Sequence, residues 1–341
     1  MRFDTLEQWL DWQQTLHPKA IDLSLDRVRS VLDRLLPDRT GAPVVTVAGT
    51  NGKGSVVATL ESLLRTAGYS VGAFTSPHLL RYNERVRIDG RAVEDRDLVE
   101  SFTRIESVRG GISLTYFEFS ALAALDCFAR RHVDVLVLEV GLGGRLDAVN
   151  AVDPTVAVVT TIGLDHCEWL GPDVESIARE KAGIFRSDRA AVFGSRRMPE
   201  SIAAVAAAAG ARLRCLGTDF DFVERPDGWD YVSAGSTRRE LPLPTLAGVV
   251  QLENAATALA AGFGVQVVTG ALSYLLPSVL GGGPSVVRAG ATWFNKAGLV
   301  RLIAINGGLA LWLLPSPSWV KVTGSMLALL GAAAFLPLMV R

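Results

Sequence analysis

The sequence of 341 residues is poor in cysteine, with Cys127, Cys167 and Cys215 alone and no CxxC pair among them. So small and odd a set argues against a disulfide framework or a cysteine zinc cluster, and it fits a reducing cytosol. The N-terminal stretch MRFDTLEQWLDWQQTL has no continuous apolar run, which excludes a secretory signal peptide. An excess of either charge is also missing, since 34 basic residues stand against 35 acidic ones. Five of the basic residues, Arg288, Lys296, Arg301, Lys321 and Arg341, lie beyond residue 261, leaving 29 against 35 before it. A mildly acidic chain has no basic field for nucleic acid, and none is expected as a partner. The last absence is local. No Asp or Glu follows Glu253, and 262–287, 302–320 and 322–340 hold no charged residue at all.

What is present before that point has the length for a domain of ordinary size, with a second one after it. Residues 5–36 carry helical periodicity, from Leu6, Leu10 and Trp12 to Ile21, Leu25, Val28, Val31 and Leu32. Beyond Pro37 and Pro43, Val- and Ile-rich runs at 44–48, 70–74, 134–140 and 155–162 alternate with helical stretches such as 54–67 and 118–131. Strands alternating with helices predict an α/β fold, a parallel sheet covered on both faces. The run SIAAVAAAAGA, 201–211, predicts a helix closed by Gly210.

The stretch TVAGTNGKGSVVATL, 46–60, predicts a buried strand, a glycine loop from Gly49 to Gly54, and a helix starting at Ser55. Such a helix N-terminus offers free N–H groups and positive potential to a phosphate. Gly49, Gly52 and Gly54 let the backbone curl around it, Lys53 adds a mobile charge, and the Ser55 hydroxyl suits Mg²⁺. An extra glycine, Gly54, separates Lys53 from Ser55, so the strict P-loop pattern is not met. Glu139 closes the apolar run DVLVLEVG and His166 follows TVAVVTTIGLD. In an open parallel sheet such strand ends line the ligand crevice, and a metal would satisfy so buried a carboxylate. Each has an ordinary alternative: Glu139 pairing with Arg145, and His166 satisfied within its loop. Cys167 reads as packing. GLGGRLDAVN, 141–150, reads as a binding loop without a specific spacing. Lys181, in IAREKAGIF, reads on these grounds as a solvated helix lysine.

Seven segments, GTNGKGS, TSPHLLRYNERVRI, ISLTYFEF, LEVGLGGRLDAVN, TIGLDH, SIAREKAGIFR and ENAATAL, occur here in series. Their order and spacing resemble the bifunctional dihydrofolate synthase/folylpolyglutamate synthase family, grouped with the muramyl peptide ligases. The resemblance covers residues 3–261. It implies a three-layer, P-loop-type α/β domain like the central domain of those ligases. It implies an ATP-dependent, amide-forming ligase in which ATP phosphorylates a carboxylate and the amine of L-glutamate attacks the acyl phosphate. Dihydropteroate and folates would be the other substrates, and a cytoplasmic monomer is expected.

Carried over residue by residue, the resemblance puts Gly49, Thr50, Asn51, Gly52, Lys53, Gly54 and Ser55 around ATP phosphates and Asn254 on the nucleotide. Ser55, Ser76, Glu139 and His166 would serve Mg²⁺, with His166, Lys53 and Lys181 catalytic. Lys181 matches a lysine carbamylated by CO₂, which reverses its solvated reading. Asp22, Leu23, Ser24 and Leu25, Thr115, Tyr116, Phe117 and Glu118, and Leu146, Asp147 and Ala148 match segments that hold the pterin. An aromatic pair can stack a flat heterocycle, and a carboxylate can bond its amino-pyrimidine edge.

The resemblance stops near Ala261, so the chain divides into a ligase domain, 1–261, and a hydrophobic, helical tail, 262–341, in place of the expected second α/β domain. Apolar runs at about 265–287, 302–320 and 322–340 approach the roughly 20 residues that span a bilayer. The tail reads either as foreign sequence joined to a ligase by rearrangement or as a membrane anchor. Lys321 would then mark one face and Arg288, Lys296 and Arg301 the cytoplasmic one. With half the active site missing, the expectation is a chain with little turnover, or a remnant that binds nucleotide or pterin without catalysis.

Overall fold

The computed structural model describes residues 2–37, 41–234, 236–245 and 248–269. In chain order the elements are α1 (Leu6–Leu16), α2 (Asp26–Leu35), β1 (Val44–Ala48), α3 (Lys53–Thr66), β2 (Val71–Phe74), β3 (Val86–Ile88), β4 (Arg91–Ala92), α4 (Asp95–Arg109), α5 (Tyr116–Arg130), β5 (Val135–Glu139) and β6 (Val156–Val159). There follow α6 (Cys167–Leu170), α7 (Val174–Ala182), β7 (Ala190–Phe193), α8 (Glu200–Ala209), β8 (Arg212–Cys215), β9 (Phe220–Arg225), β10 (Gly228–Ser233), β11 (Ser236–Leu241) and α9 (Val249–Thr269).

The main sheet runs β4-β3-β2-β5-β1-β6-β7-β8. From β2 to β8 every pair is parallel, and β3 and β4 add an antiparallel edge. Strands buried on both faces need unbroken apolar sequence, and β1, β5 and β6 are buried along their full length. Side chains alternate between the faces. Leu136, Leu138, Ala157 and Val159 join one core with α1, α2, α4, α5, α7 and α8. The other face is covered by α3, through Val56, Val57, Leu60 and Leu64, and by α9, whose Gly264 lies against Val156 and Ala190. The three layers expected of the sequence are present.

The periodicity over 5–36 resolves into two helices, not one. Thr5 and Gln8 cap α1 reciprocally, and α1 ends before the His17-Pro18 step, where the residue before proline is pushed out of the helical region. The freed segment 17–25 carries the expected pterin residues. The alanine-rich helix ends as expected at Gly210, left-handed at φ 68°.

Two features differ from expectation. Strands β9 to β11 form a separate antiparallel sheet, with Phe220, Trp229 and Tyr231 buried. The last helix also does not stop at Ala261: Val265 is fully buried, and Phe263 lies 5.8 Å from the Tyr231 ring. The compact unit extends to Val268. The boundary at 261 marks the end of a resemblance, while the packing carries on through Val265. The start of the run at 265–287 is thus the end of a folded helix. Its remainder and the runs 302–320 and 322–340 lie outside the described residues. Among the described residues no helix is long and apolar enough to cross a membrane.

Candidate nucleotide and pterin site

Four neighbouring parallel strands, β2, β5, β1 and β6, deliver the expected site residues to one edge of the sheet. The glycine loop follows β1, Ser76 follows β2, Glu139 ends β5 and His166 lies in the loop after β6. This carboxyl edge, where the connections diverge to either side of β1, is the crevice of an open α/β sheet.

The loop is shaped for an anion. Gly52 stands at the N-terminus of α3 with φ 86°, a left-handed conformation that glycine adopts without a Cβ penalty. A Cβ there would also meet Asn254 Oδ1 at 2.4 Å. The first turn of α3, from Lys53 onward, leaves N–H groups with no partner inside the helix. Asn51 N–H donates to Thr161 Oγ1 at 3.1 Å and Thr50 N–H to Thr161 O at 2.8 Å, which fixes the curl to β6. Asn254, on α9, is 8% exposed and packs on the loop from the far side.

Two lysines converge on a single carbonyl. Lys53 Nζ and Lys181 Nζ each donate to Gly49 O at 3.0 Å, and Lys53 reaches Thr50 O at 3.3 Å. Lys181 is no solvated helix lysine, being 3% exposed near the end of α7. Burial, and then the neighbouring Lys53 charge, push its pKa down to about 8, against the pull of Asp165 and Asp147.

Glu139 is 4% exposed and accepts the Ser76 N–H at 3.2 Å. Burial pushes its pKa up, against the pull of Lys53, the Ser76 N–H and Arg87. Its suggested partner, Arg145, instead pairs with Glu180 at 2.9 Å. His166 adopts the left-handed region at φ 48° as the cap of α6, half exposed, 3.5 Å from Asp165. Among the described residues no three His, Cys, Asp or Glu side chains cluster as a metal cage. The donor types at this edge, one carboxylate, an imidazole and the hydroxyls of Ser55 and Ser76, are sparse and mostly oxygen, as Mg²⁺ accepts while keeping several waters and substrate oxygens.

Beside this edge opens a cavity of about 410 Å³. Lys53, Ser76 and His166 share its wall with Asp22, Leu23, Ser24, Thr115, Phe117, Glu118, Leu146, Asp147 and Ala148. Leu25 is not on that wall: it is buried in the core as the N-terminal cap of α2. Tyr116 also turns away, its ring 5.9 Å from that of Tyr82, so Phe117 is left as the aromatic wall. Gly141 lets that ring approach, since a Cβ there would meet Phe117 Cζ at 2.5 Å. Asp147 is committed to its own loop, accepting N–H groups from Gly141, Leu142 and Val149 at 2.9 to 3.0 Å. Its burial pushes the pKa up to about 7 despite those bonds.

Three residues in or behind this wall escaped the sequence reading. Arg27 donates to Asp22 at 2.8 Å and to Glu118 at 3.0 Å, holding both carboxylates at one end. His17 supports Asp22 from behind at 3.1 Å. Asp22 loses more to desolvation than any one contact returns, yet Arg27 and His17 together hold its pKa below the usual value. Arg85 lines the other side with Pro77. Arg27 lies five residues beyond Asp22, outside the i, i+3 and i, i+4 pairings of a helix, so periodicity alone does not join them.

The family model of the Mur ligase middle domain matches residues 47–262, the span that holds the glycine loop, Glu139, His166, Lys181 and Asn254. The chain belongs to the Mur ligase family. Among its Mur ligase relatives, the dihydrofolate synthase/folylpolyglutamate synthase of Escherichia coli K12 is 52% identical over 256 residues, 75% of this chain and 60% of that protein. The E. coli FolC structure in complex with DHPP and ADP superposes with a TM-score of 0.74 at 51% identity, over 77% of this chain and 62% of that one. A bifunctional folylpolyglutamate synthase/dihydrofolate synthase with Mn, AMPPNP and L-glutamate bound gives a TM-score of 0.71 at 48% identity, over 77% and 63%. The chain thus spans about 60% of the length of that curated relative.

Proposed function

We propose that this chain works in an ATP-dependent ligase that adds L-glutamate to dihydropteroate and to folates. The observation that carries the reading is the shared wall: Lys53, Ser76 and His166 face the same cavity as Asp22, Phe117 and Glu118. A nucleotide phosphate on the glycine loop and a carboxylate substrate in the cavity would therefore meet at Ser76 and Lys53. The relatives' complexes with ADP, AMPPNP, Mn, DHPP and L-glutamate support the same assignment.

In this reading Gly49 to Ser55 cradle the phosphates, Asn254 lies by the nucleotide, and Ser55, Ser76, Glu139 and His166 hold Mg²⁺. When bound, Mg·ATP supplies the phosphoryl group that turns a substrate carboxylate into an electrophile for the glutamate amine. The chain's own groups set the geometry. Lys53 would leave Gly49 O for a phosphate oxygen, a stronger charge-assisted acceptor. Arg27 would hold Asp22 and Glu118 in place to accept the amino-pyrimidine donors, while Phe117 stacks the ring.

Lys181 fits the carbamylated role. Two ammonium groups on one carbonyl repel, and a pKa near 8 gives Lys181 a neutral fraction at physiological pH. That amine attacks CO₂, forms an N–C bond and releases a proton. The anion left behind faces Lys53 instead of repelling it.

The test is calorimetry on the full chain with Mg·AMPPNP and dihydropteroate, followed by an assay for ATP-dependent incorporation of labelled L-glutamate. Saturable binding of both ligands, with nucleotide binding weakened in Lys53→Ala, is the expected result. Failure of dihydropteroate to bind at any nucleotide concentration would sink the ligase reading.

A further inference from the structure

Among the described residues Arg85 meets no carboxylate, and its neighbours are arranged as if one were to arrive. Several covered arginines of the domain meet a carboxylate: Arg27 with Glu118, Arg87 with Glu61, Arg109 with Glu106 and Arg130 with Asp126. Arg85 is 9% exposed and meets none among the described residues. Its Nε–H donates to His78 Nδ1 at 2.8 Å, so that nitrogen presents a lone pair and the imidazole proton sits on Nε2. The Tyr82 and Tyr116 rings each lie 5.6 Å from the guanidinium carbon. Thr75 N–H donates to Arg85 O at 2.9 Å, which fixes the backbone beside Ser76.

These contacts use the Nε edge and the faces of the guanidinium. Its Nη1 and Nη2 edge has no acceptor among the described residues, and the residue lines the cavity. A buried cation without a partner is costly, whereas a rigid fork of donors matches a carboxylate bidentately. The acidic groups of the cavity cannot fill the role, because Asp22 and Glu118 are held by Arg27. The cavity is thereby divided by charge, with carboxylates at the Arg27 end and an unmatched cation near Ser76 and Pro77.

We propose that Arg85 is a carboxylate-anchoring residue, taking a carboxylate of the pterin substrate on its Nη edge while His78, Tyr82 and Tyr116 hold the guanidinium in place. The proposal rests on the pterin-ligase reading and deepens it. The carboxylate has two sources, the benzoate of dihydropteroate and the glutamyl group of folate. Tyr116, expected from the sequence to stack the heterocycle, acts on this account behind the arginine.

The experiment measures binding of dihydropteroate, folate and a 6-hydroxymethylpterin without a carboxylate to the full chain, in wild type, Arg85→Gln and Arg85→Lys, with thermal unfolding as the folding check. Arg85→Gln should weaken dihydropteroate about tenfold to a hundredfold, the size of a lost charge-assisted pair. Arg85→Lys should fall between, and the carboxylate-free pterin should bind all three alike. A larger loss for folate than for dihydropteroate assigns the glutamyl carboxylate, and the reverse assigns the benzoate. Equal losses for the carboxylate-free pterin, or no loss at all, would overturn the anchor. If no pterin binds wild type, the ligase reading fails separately. The anchor is then tested by titrating 4-aminobenzoate while following the Arg85 Nε resonance, where no shift at saturation rejects it.

Discussion

Replacing Lys181 by methionine should change the pH dependence of stability. Lys181 is 3% exposed and its pKa falls from 10.5 to about 8, chiefly through burial. At 1.36 kcal/mol for each pH unit, that fall corresponds to about 3 kcal/mol of cost in the folded state. Because the folded pKa is depressed below the unfolded one, the folded protein binds fewer protons between pH 8 and 10.5. The cost is therefore complete below about pH 8 and fades as pH rises toward 10.5. Wild type should gain about 2 kcal/mol relative to Lys181→Met between pH 7 and pH 9.5. Other titrating groups are common to both proteins and cancel. Urea unfolding of the two at both pH values, in CO₂-free buffer, gives the four free energies. A difference between the proteins that does not move with pH would show that Lys181 is solvated after all, and would remove the physical ground for its reaction with CO₂.

Lys53→Ala should weaken Mg·AMPPNP binding by about 1.5 to 3 kcal/mol, the contribution of a hydrogen bond to a charged group, and Glu139→Gln should lose the Mg²⁺ dependence of that binding. Calorimetry with and without Mg²⁺ reads both, and unchanged affinities contradict the site. Gly52→Ala should impair nucleotide binding as well, since φ is 86° and the new Cβ would sit 2.4 Å from Asn254 Oδ1. The companion Asn254→Ala should restore part of that loss; no restoration would mean that backbone strain alone matters. Asp126→Ala should destabilise the fold by about 1 to 3 kcal/mol, because it strands the buried Ser101 hydroxyl and takes one of two carboxylates from Arg130. Asp126 is fully buried and bonded to Ser101, Arg104 and Arg130, and a loss below about 1 kcal/mol in urea titrations would refute that account.

The parallel sheet was legible because strands covered on both faces must be apolar without interruption, and β1, β2, β5 and β6 all fall within the runs that the sequence marks. The antiparallel sheet was not, since its strands, such as FDFVER and STRREL, mix charge with apolar residues and have one solvent face. The amphipathic α4, DRDLVESFTRIESVR, escaped for a similar reason, its core stripe of Leu98, Phe102 and Ile105 being diluted by charge. The sequence divides the chain at 261 by resemblance, while the structure continues the helix because Phe263 and Val265 still have a surface to cover.

At the site, residue type and order point to the glycine loop, Glu139 and most of the cavity wall, but they do not say which way a side chain is committed. Asp147 looks like a ligand group and spends both oxygens on three backbone N–H groups of its own loop. Glu118 both caps α5, accepting the Thr115 N–H at 2.7 Å, and bonds Arg27. That carboxylate is therefore already fixed by the helix end and the cation behind it. Lys181, which the sequence reads as solvated, and Arg85, which it passes over, show the opposite case: folding buries the first against Gly49 O and places the second in the cavity wall. The reason is common to all four residues. A buried charge has to find its partner in three dimensions, so its role depends on which partners the sheet edge brings within about 3 Å of it. For Asp147 the partners are complete, for Lys181 they are repulsive, and for Arg85 they stop one carboxylate short.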